Sequence, residues 1–241
     1  TALFLVPILW MVTTSVRPPI DYISNSISLI PTQVTLDHYR DLIRSDLFGK
    51  AYNSFVVAIG TTVLALGVAF PAAYALVRFR FPARLDMVFL MFVLMVKLTP
   101  PISLAIPLYQ VLRTVGLLDS LPGLILVYQV YAIPFAIWML LGFVRDVPVE
   151  YEESALVDGA SLPWRLRSIV LPVMMPGVIA TAVFVVILSW NEFAYALLFI
   201  QSPENFTLPT YIATLITEDE TFWGKLSAVG LMASLPILVM V

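Results

Sequence analysis

Residues 147–171 read VPVEYEESALVDGASLPWRLRSIVL, a run dense in cap and turn signals set between two long apolar segments. Pro148 suits the first position of a helix, where a missing N–H costs little. Glu150, Glu152 and Glu153 follow in the first turns, where acids complement the helix dipole. Gly159 supplies a stop or a left-handed turn. Ser161 suits the cap of a second short helix, with Pro163 early in it and Arg165 and Arg167 towards its end. The segment therefore reads as two short helices hinged at Gly159. An acidic first helix argues against a bed of anionic lipid, since interfacial helices are usually basic. A protein partner with a basic-rimmed cleft fits it better.

Outward from this loop the chain is overwhelmingly apolar. Of 241 residues 60% are hydrophobic and only 12% charged, with a mean hydropathy of +0.95. Soluble domains carry roughly 25% charged residues, so this composition describes a membrane protein. Ser54–Val77, Met87–Val111, Leu124–Val144 and Ile169–Trp190 are long enough to cross a hydrocarbon layer of about 30 Å. Lys97, Pro100, Pro101 and Pro107 interrupt the second of them. Apolar runs at Thr1–Val16 and Leu226–Val241 read as partial helices of a chain trimmed at both ends, giving six spans in all. The expected fold is thus an all-α integral membrane protein, one transmembrane domain over 1–241 with the organised loop at 145–168 inside it.

Composition also excludes function classes. A net charge of −3 leaves no basic footprint for nucleic acid. With no cysteine and a single histidine, His38, there is no thiolate metal site, disulfide, haem site or multi-histidine zinc site. His38 lies in a polar stretch and reads as a surface residue. Loop cations favour cytoplasmic termini, because Arg78, Arg80 and Arg84 crowd one short loop while most opposite loops hold few cations. The segment from Gln201 to Trp223, with Glu204, Glu218, Asp219 and Glu220, is an acidic outer loop.

Polar groups at membrane depth are the candidate pathway. Lys97 is costly there and faces either a cavity, as a substrate contact, or the carbonyls freed by Pro100 and Pro101. Tyr128 and Gln129, with Tyr131, form a polar patch in the third long span, facing a bundle interior as pathway groups or making helix–helix hydrogen bonds. Asn191 and Glu192 line the mouth of a pathway or cap a helix end. Trp190 reads as an interfacial anchor.

Glu153-Ser154-Ala155, then Gly159 after three residues, then Ile169-Val170-Leu171-Pro172 after nine more, resembles the EAA signature of ABC importer permeases. Ser154 for the first alanine is the one departure. Asn53-Ser54, Pro107-Leu-Tyr109, Ile133-Pro-Phe-Ala-Ile-Trp138, Trp190-Asn-Glu-Phe193 and Thr207-Leu-Pro209 extend the likeness to the carbohydrate-importer, MalG-like branch. The resemblance implies a non-catalytic permease subunit of a bacterial or archaeal inner membrane. Its partners would be a second homologous permease, two cytoplasmic ATPase subunits that bind ATP and Mg, and an extracytoplasmic binding protein delivering a sugar-like solute. It assigns Glu153, Ser154, Ala155, Asp158 and Gly159 to a coupling helix seated on an ATPase. The chain itself has no GxxxxGK[ST] segment, so ATP would act on the partner. The competing class is an ion-coupled secondary transporter in which Lys97 carries protons.

Overall fold

The computed structural model describes residues 2–18, 33–216 and 222–240, and every element among them with regular hydrogen bonding over more than one turn is helical. In chain order they are α1 (Ala2–Ser15), α2 (Asp37–Arg44), α3 (Leu47–Arg78), α4 (Leu85–Leu98), α5 (Pro101–Thr114) and α6 (Leu121–Asp146). There follow α7 (Val149–Val157), α8 (Leu162–Arg165), α9 (Leu171–Trp190), α10 (Ala194–Phe199), α11 (Leu208–Ala213) and α12 (Trp223–Met240). A π-type turn at Leu166–Val170 joins α8 to α9, so the helix runs unbroken over Leu162–Trp190.

Four of these helices are long and apolar enough to cross a membrane: Leu47–Arg78, Leu121–Asp146, Leu162–Trp190 and Trp223–Met240. A fifth candidate is a bent pair of helices, which makes either one broken span or a re-entrant loop. The run read as a single span over Met87–Val111 is α4 and α5, bent by 99° at Thr99–Pro100. The two prolines there supply no N–H to the preceding turn, and Thr99 N–H closes on the Val96 carbonyl at 3.2 Å instead. At a rise of about 1.5 Å per residue, the 14 residues of α1 reach roughly 21 Å, short of a full crossing. The described residues therefore give four or five spans by length, against the six expected.

The chain divides into two compact units. One comprises Thr1–Phe55 and Ile200–Val241, and in it α1 and α2 both pack on α12. His38 belongs here and is not a surface residue. It is 6% exposed, and its Nε2 lies 2.8 Å from the Arg17 carbonyl. The polar letters around it mark only the outward face of α2; His38 and Leu42 share the inward one.

The other unit is Val56–Phe199, with α9 and α4 packed on α6. Its core places Ala65, Ala69 and Ala73 of α3 in one cluster with Ala132, Ala136 and Leu140 of α6 and Val170 and Met174 before and within α9. Alanines four apart put a stripe of small side chains on one face of α3 and of α6, the kind of face found where apolar helices associate in lipid. Trp190, expected as an interfacial anchor, is 6% exposed and belongs to the buried set.

Candidate functional site

The loop between α6 and α9 is built from its hinges. Val147 is extended and buried, and Pro148 stands at the N-cap of α7 instead of its first turn. Nine residues later the helix closes in a Schellman arrangement. Ala160 N–H reaches the Ala155 carbonyl at 2.9 Å and Gly159 N–H the Leu156 carbonyl at 3.0 Å. Gly159 holds φ at +78° in that turn. Ser161 is the N-cap residue of α8 but its side chain makes no cap hydrogen bond.

The two sides of α7 differ. Glu153, Ser154, Leu156, Val157 and Asp158 are exposed, Val157 by 89%, while Glu152 and Ala155 are buried. Ala155, Asp158, Gly159, Ala160, Ser161 and Trp164 line an open groove of about 440 Å³. Its floor is small side chains, its wall the half-exposed Trp164, and its rim the Asp158 carboxylate.

Glu152 was expected to serve the helix dipole beside Glu150 and Glu153, but it points inward. Tyr74 Oη donates to Glu152 Oε2, and Arg78 Nε donates to Oε1 at 2.8 Å. Arg78 Nη2 also donates to the Val147 carbonyl at 2.6 Å. Glu152 is only 4% exposed, and a carboxylate so buried is tolerable only with its lone pairs filled by charged or hydroxyl donors. Sequence reading missed this cluster. The available signal was helical phase, since Glu152 falls three residues from Ala155 and on its face.

The pathway candidates separate into two groups. Lys97 and Glu192 line a cavity of about 420 Å³ beside the α4–α5 break, together with Thr99, Tyr131, Phe135 and Tyr195. Lys97 Nζ sits 5.4 Å from the centre of the Phe135 ring. Val96 O, one of the carbonyls that the prolines free, accepts from Thr99 N–H, and Lys97 faces the Phe135 ring instead. Tyr131 and Tyr195 stack with centroids 6.4 Å apart and ring planes within 7°. Glu192 is also a cap, its two oxygens accepting from Tyr195 N–H at 3.0 Å and Ala196 N–H at 3.3 Å.

The remaining candidates lie elsewhere. Tyr128 is fully buried, with its hydroxyl 3.5 Å from the Glu192 carbonyl. Gln129 Nε2 donates to the Ile125 carbonyl at 2.8 Å, and its Oε1 is buried without a hydrogen-bond partner. Asn191 Nδ2 closes on the Ile187 carbonyl at 2.8 Å. Neither Tyr128, Gln129 nor Asn191 lines the cavity; Tyr131 and Tyr195 do. Of the acidic outer loop, Glu218, Asp219 and Glu220 lie outside the described residues, and Glu204 sits in a short 3-10 turn. Among the described residues no cluster of His, Asp or Glu could hold a metal ion.

Helices long and apolar enough to cross a membrane, with α4 and α5 bent at prolines beside a cavity, describe a multi-pass membrane protein. A family model described as "Binding-protein-dependent transport system inner membrane component" matches residues 65–241, and the chain belongs to that family. It is 35% identical over 240 residues to the trehalose transport system permease protein of Mycobacterium tuberculosis, covering 98% of this chain and 86% of that protein. To the diacetylchitobiose uptake system permease protein of Streptomyces coelicolor it is 33% identical over 235 residues, covering 97% and 84%. A solved bacterial ABC transporter involved in import of the acidic polysaccharide alginate shares the fold, with a TM-score of 0.82 at 19% identity over 98% of this chain and 88% of that one. The chain is therefore a non-catalytic inner-membrane permease subunit of an ABC importer, with ATP hydrolysis residing in partner subunits. The ion-coupled reading finds no support.

Proposed function

We propose that this permease carries a sugar or sugar-like solute, handed over by an extracytoplasmic binding protein, in a complex with a second homologous permease and two cytoplasmic ATPases that bind ATP and Mg. The observation that carries the reading is the likeness, along almost the whole chain, to permeases named for trehalose and diacetylchitobiose uptake. In this reading both termini are cytoplasmic and the whole chain acts as one permease domain.

Glu153, Ser154, Ala155, Asp158 and Gly159 form the ATPase-facing surface. The exposed α7 face and the small-residue groove support that role, because a short helix with an apolar crest enters a cleft and leaves its carboxylates for basic rim residues. ATP-driven closure of the ATPases shifts the permease between access states through contacts made at this loop. Lys97 and Glu192 serve the solute pathway, with the Tyr131–Tyr195 stack as an apolar, hydroxyl-tipped face beside them. Tyr128, Gln129 and Asn191 act in the pathway through the walls they brace, each bonded to backbone carbonyls.

The test is co-expression with the neighbouring genes, purification in detergent, and ATP hydrolysis with binding protein loaded or unloaded with trehalose, maltose or chitobiose. Co-purified ATPase subunits, and hydrolysis stimulated by one loaded sugar, are expected. A chain that purifies without an ATPase would sink the partner assignment. Stimulation by none of the sugars, but by an amino acid or peptide, would sink the solute class.

A further inference from the structure

We propose that Tyr74, Arg78 and Glu152 form the joint through which movement of α7 reaches α3, so that Glu152 is a positioning residue facing into the permease while its neighbour Glu153 faces out. The inference rests on the reading of the α7–α8 loop as the ATPase-facing element. It adds the means by which a docked loop moves a membrane helix.

The need for a joint follows from the loop itself. α7 is nine residues long, with extended Val147 before its Pro148 cap and a left-handed Gly159 after it. Two and a half turns between two backbone hinges have little stiffness of their own. Pushed from outside, such a helix would swivel and the displacement would be absorbed at the hinges. Only a fixed attachment between them converts the push into motion of the bundle.

Among the residues of α7 the attachment is confined to one face. Glu152 and Ala155 are its buried residues. Both carboxylate oxygens of Glu152 are bound to α3, by Tyr74 and Arg78, which lie four apart on one face of its final turns. Two bonds to one carboxylate fix its orientation as well as its distance. The same guanidinium holds the Val147 carbonyl at the end of α6. One arginine thus ties the side chain of α7 and the backbone entering it to α3, and the first hinge is bridged.

The far side of the joint is equally firm. Tyr74 is 3% exposed and packs in the cluster that includes Ala69 and Ala73 of α3, Leu140 and Val144 of α6, and Met174 of α9. Its ring meets Phe79 edge-on with centroids 5.9 Å apart. A displacement of Tyr74 is therefore a displacement of the core. Leu162 of α8 and Leu166 just after it pack against the same cluster. The helix on the other side of Gly159 thus also abuts the cluster.

These 241 residues hold no cysteine to compete with an introduced thiol label. Spin labels on Arg80→Cys, two residues past the end of α3, and Glu150→Cys, both exposed positions, report the separation of that end of α3 from α7 in the complete complex with its permease and ATPase partners. The intact joint should keep one distance distribution, unchanged in centre and width, with no nucleotide, with ATP analogue and after hydrolysis. In Glu152→Gln, which keeps the shape and removes the charge, the distribution should broaden and its centre should move with nucleotide by about 2 Å or more. Glu152→Arg paired with Arg78→Glu should restore part of the fixed distance. Tyr74→Phe, the mildest change, should broaden it least.

Two results overturn the joint. One is a distance that changes with nucleotide in the wild-type complex; the other is a distribution in Glu152→Gln indistinguishable from wild type. Co-purification of the ATPase, read from the same preparations, separates the causes. Its absence in the wild type removes the docking reading and the joint with it, whereas its presence with an unaffected Glu152→Gln distance removes the joint alone.

Discussion

A Cβ built on Gly159 would meet nothing within 4 Å, yet the residue holds φ at +78°. Space is therefore not what requires glycine here; backbone conformation is. An L-residue in the left-handed region costs roughly 1–2 kcal/mol, asparagine less, and a β-branched residue more. Binding-protein-stimulated ATP hydrolysis by the purified complex should consequently fall in the order Gly, Asn, Ala, Val at position 159. The valine variant should insert and assemble normally but lose roughly tenfold or more of the stimulation, since each 1.4 kcal/mol is about a factor of ten in an equilibrium. Equal losses in Asn and Val would mean that the groove rejects any side chain, and the conformational account would fall.

At the scale of elements, the first turns of α3 are pinned by side chains and not by apolar packing alone. Asn53 Nδ2 donates to the Glu204 carbonyl at 2.7 Å and to the Phe206 carbonyl at 3.0 Å. Ser54 Oγ accepts from Leu208 N–H at 2.7 Å, so the turn before α11 is fixed at both ends. Asn53→Leu keeps the volume and leaves two part-buried carbonyls without their donor, at about 1–3 kcal/mol for the group. Thermal unfolding in detergent should drop by several degrees, at about 2–4 °C per kcal/mol for a chain of this length. An unchanged midpoint would show that water replaces the amide there. Hydropathy made the spans legible, but these polar anchors were visible only as a weak Asn-Ser and Thr-Leu-Pro likeness. Hydropathy also put the start of α3 at Ser54, where the helix begins at Leu47 with Lys50 paired to Asp46 at 3.3 Å. The α4–α5 break was signalled by Pro100 and Pro101, while its 99° angle was not, because a proline removes bonds and packing sets the direction. In the loop, Gly159 announced its turn by residue type alone. Glu152 did not announce its partners, because a carboxylate on a short helix reads as solvated until the helix's buried face is known.

For the whole molecule, the unit of Thr1–Phe55 and Ile200–Val241 depends on the seam between α2 and α12. Two contacts define that seam. His38 fills the place of an absent side chain at Gly224, where an added Cβ would come within 2.2 Å of Nε2, and Lys225 Nζ holds Asp41 Oδ2 at 3.0 Å. The ion pair is exposed and holds the Asp41 carboxyl below its ordinary value through the hydrogen bond and charge of Lys225. A depressed carboxyl stabilises the folded state above its unfolded value of about 3.9 and loses that contribution as pH falls through the lower folded value. Lys225→Met should therefore flatten that acid limb only slightly, and salt should mask the difference. The close contact at Gly224 matters more. Gly224→Ala forces the ring of His38 away from the Arg17 carbonyl, and overpacking of this kind costs about 1–3 kcal/mol. Its unfolding midpoint in detergent should fall by several degrees. His38→Ala should lower stability by itself, yet combined with Gly224→Ala it should cost less than the sum of the two, because the second change removes the ring that the first one strikes. Strictly additive losses would mean that α2 yields without strain, and the seam would not be set by this contact.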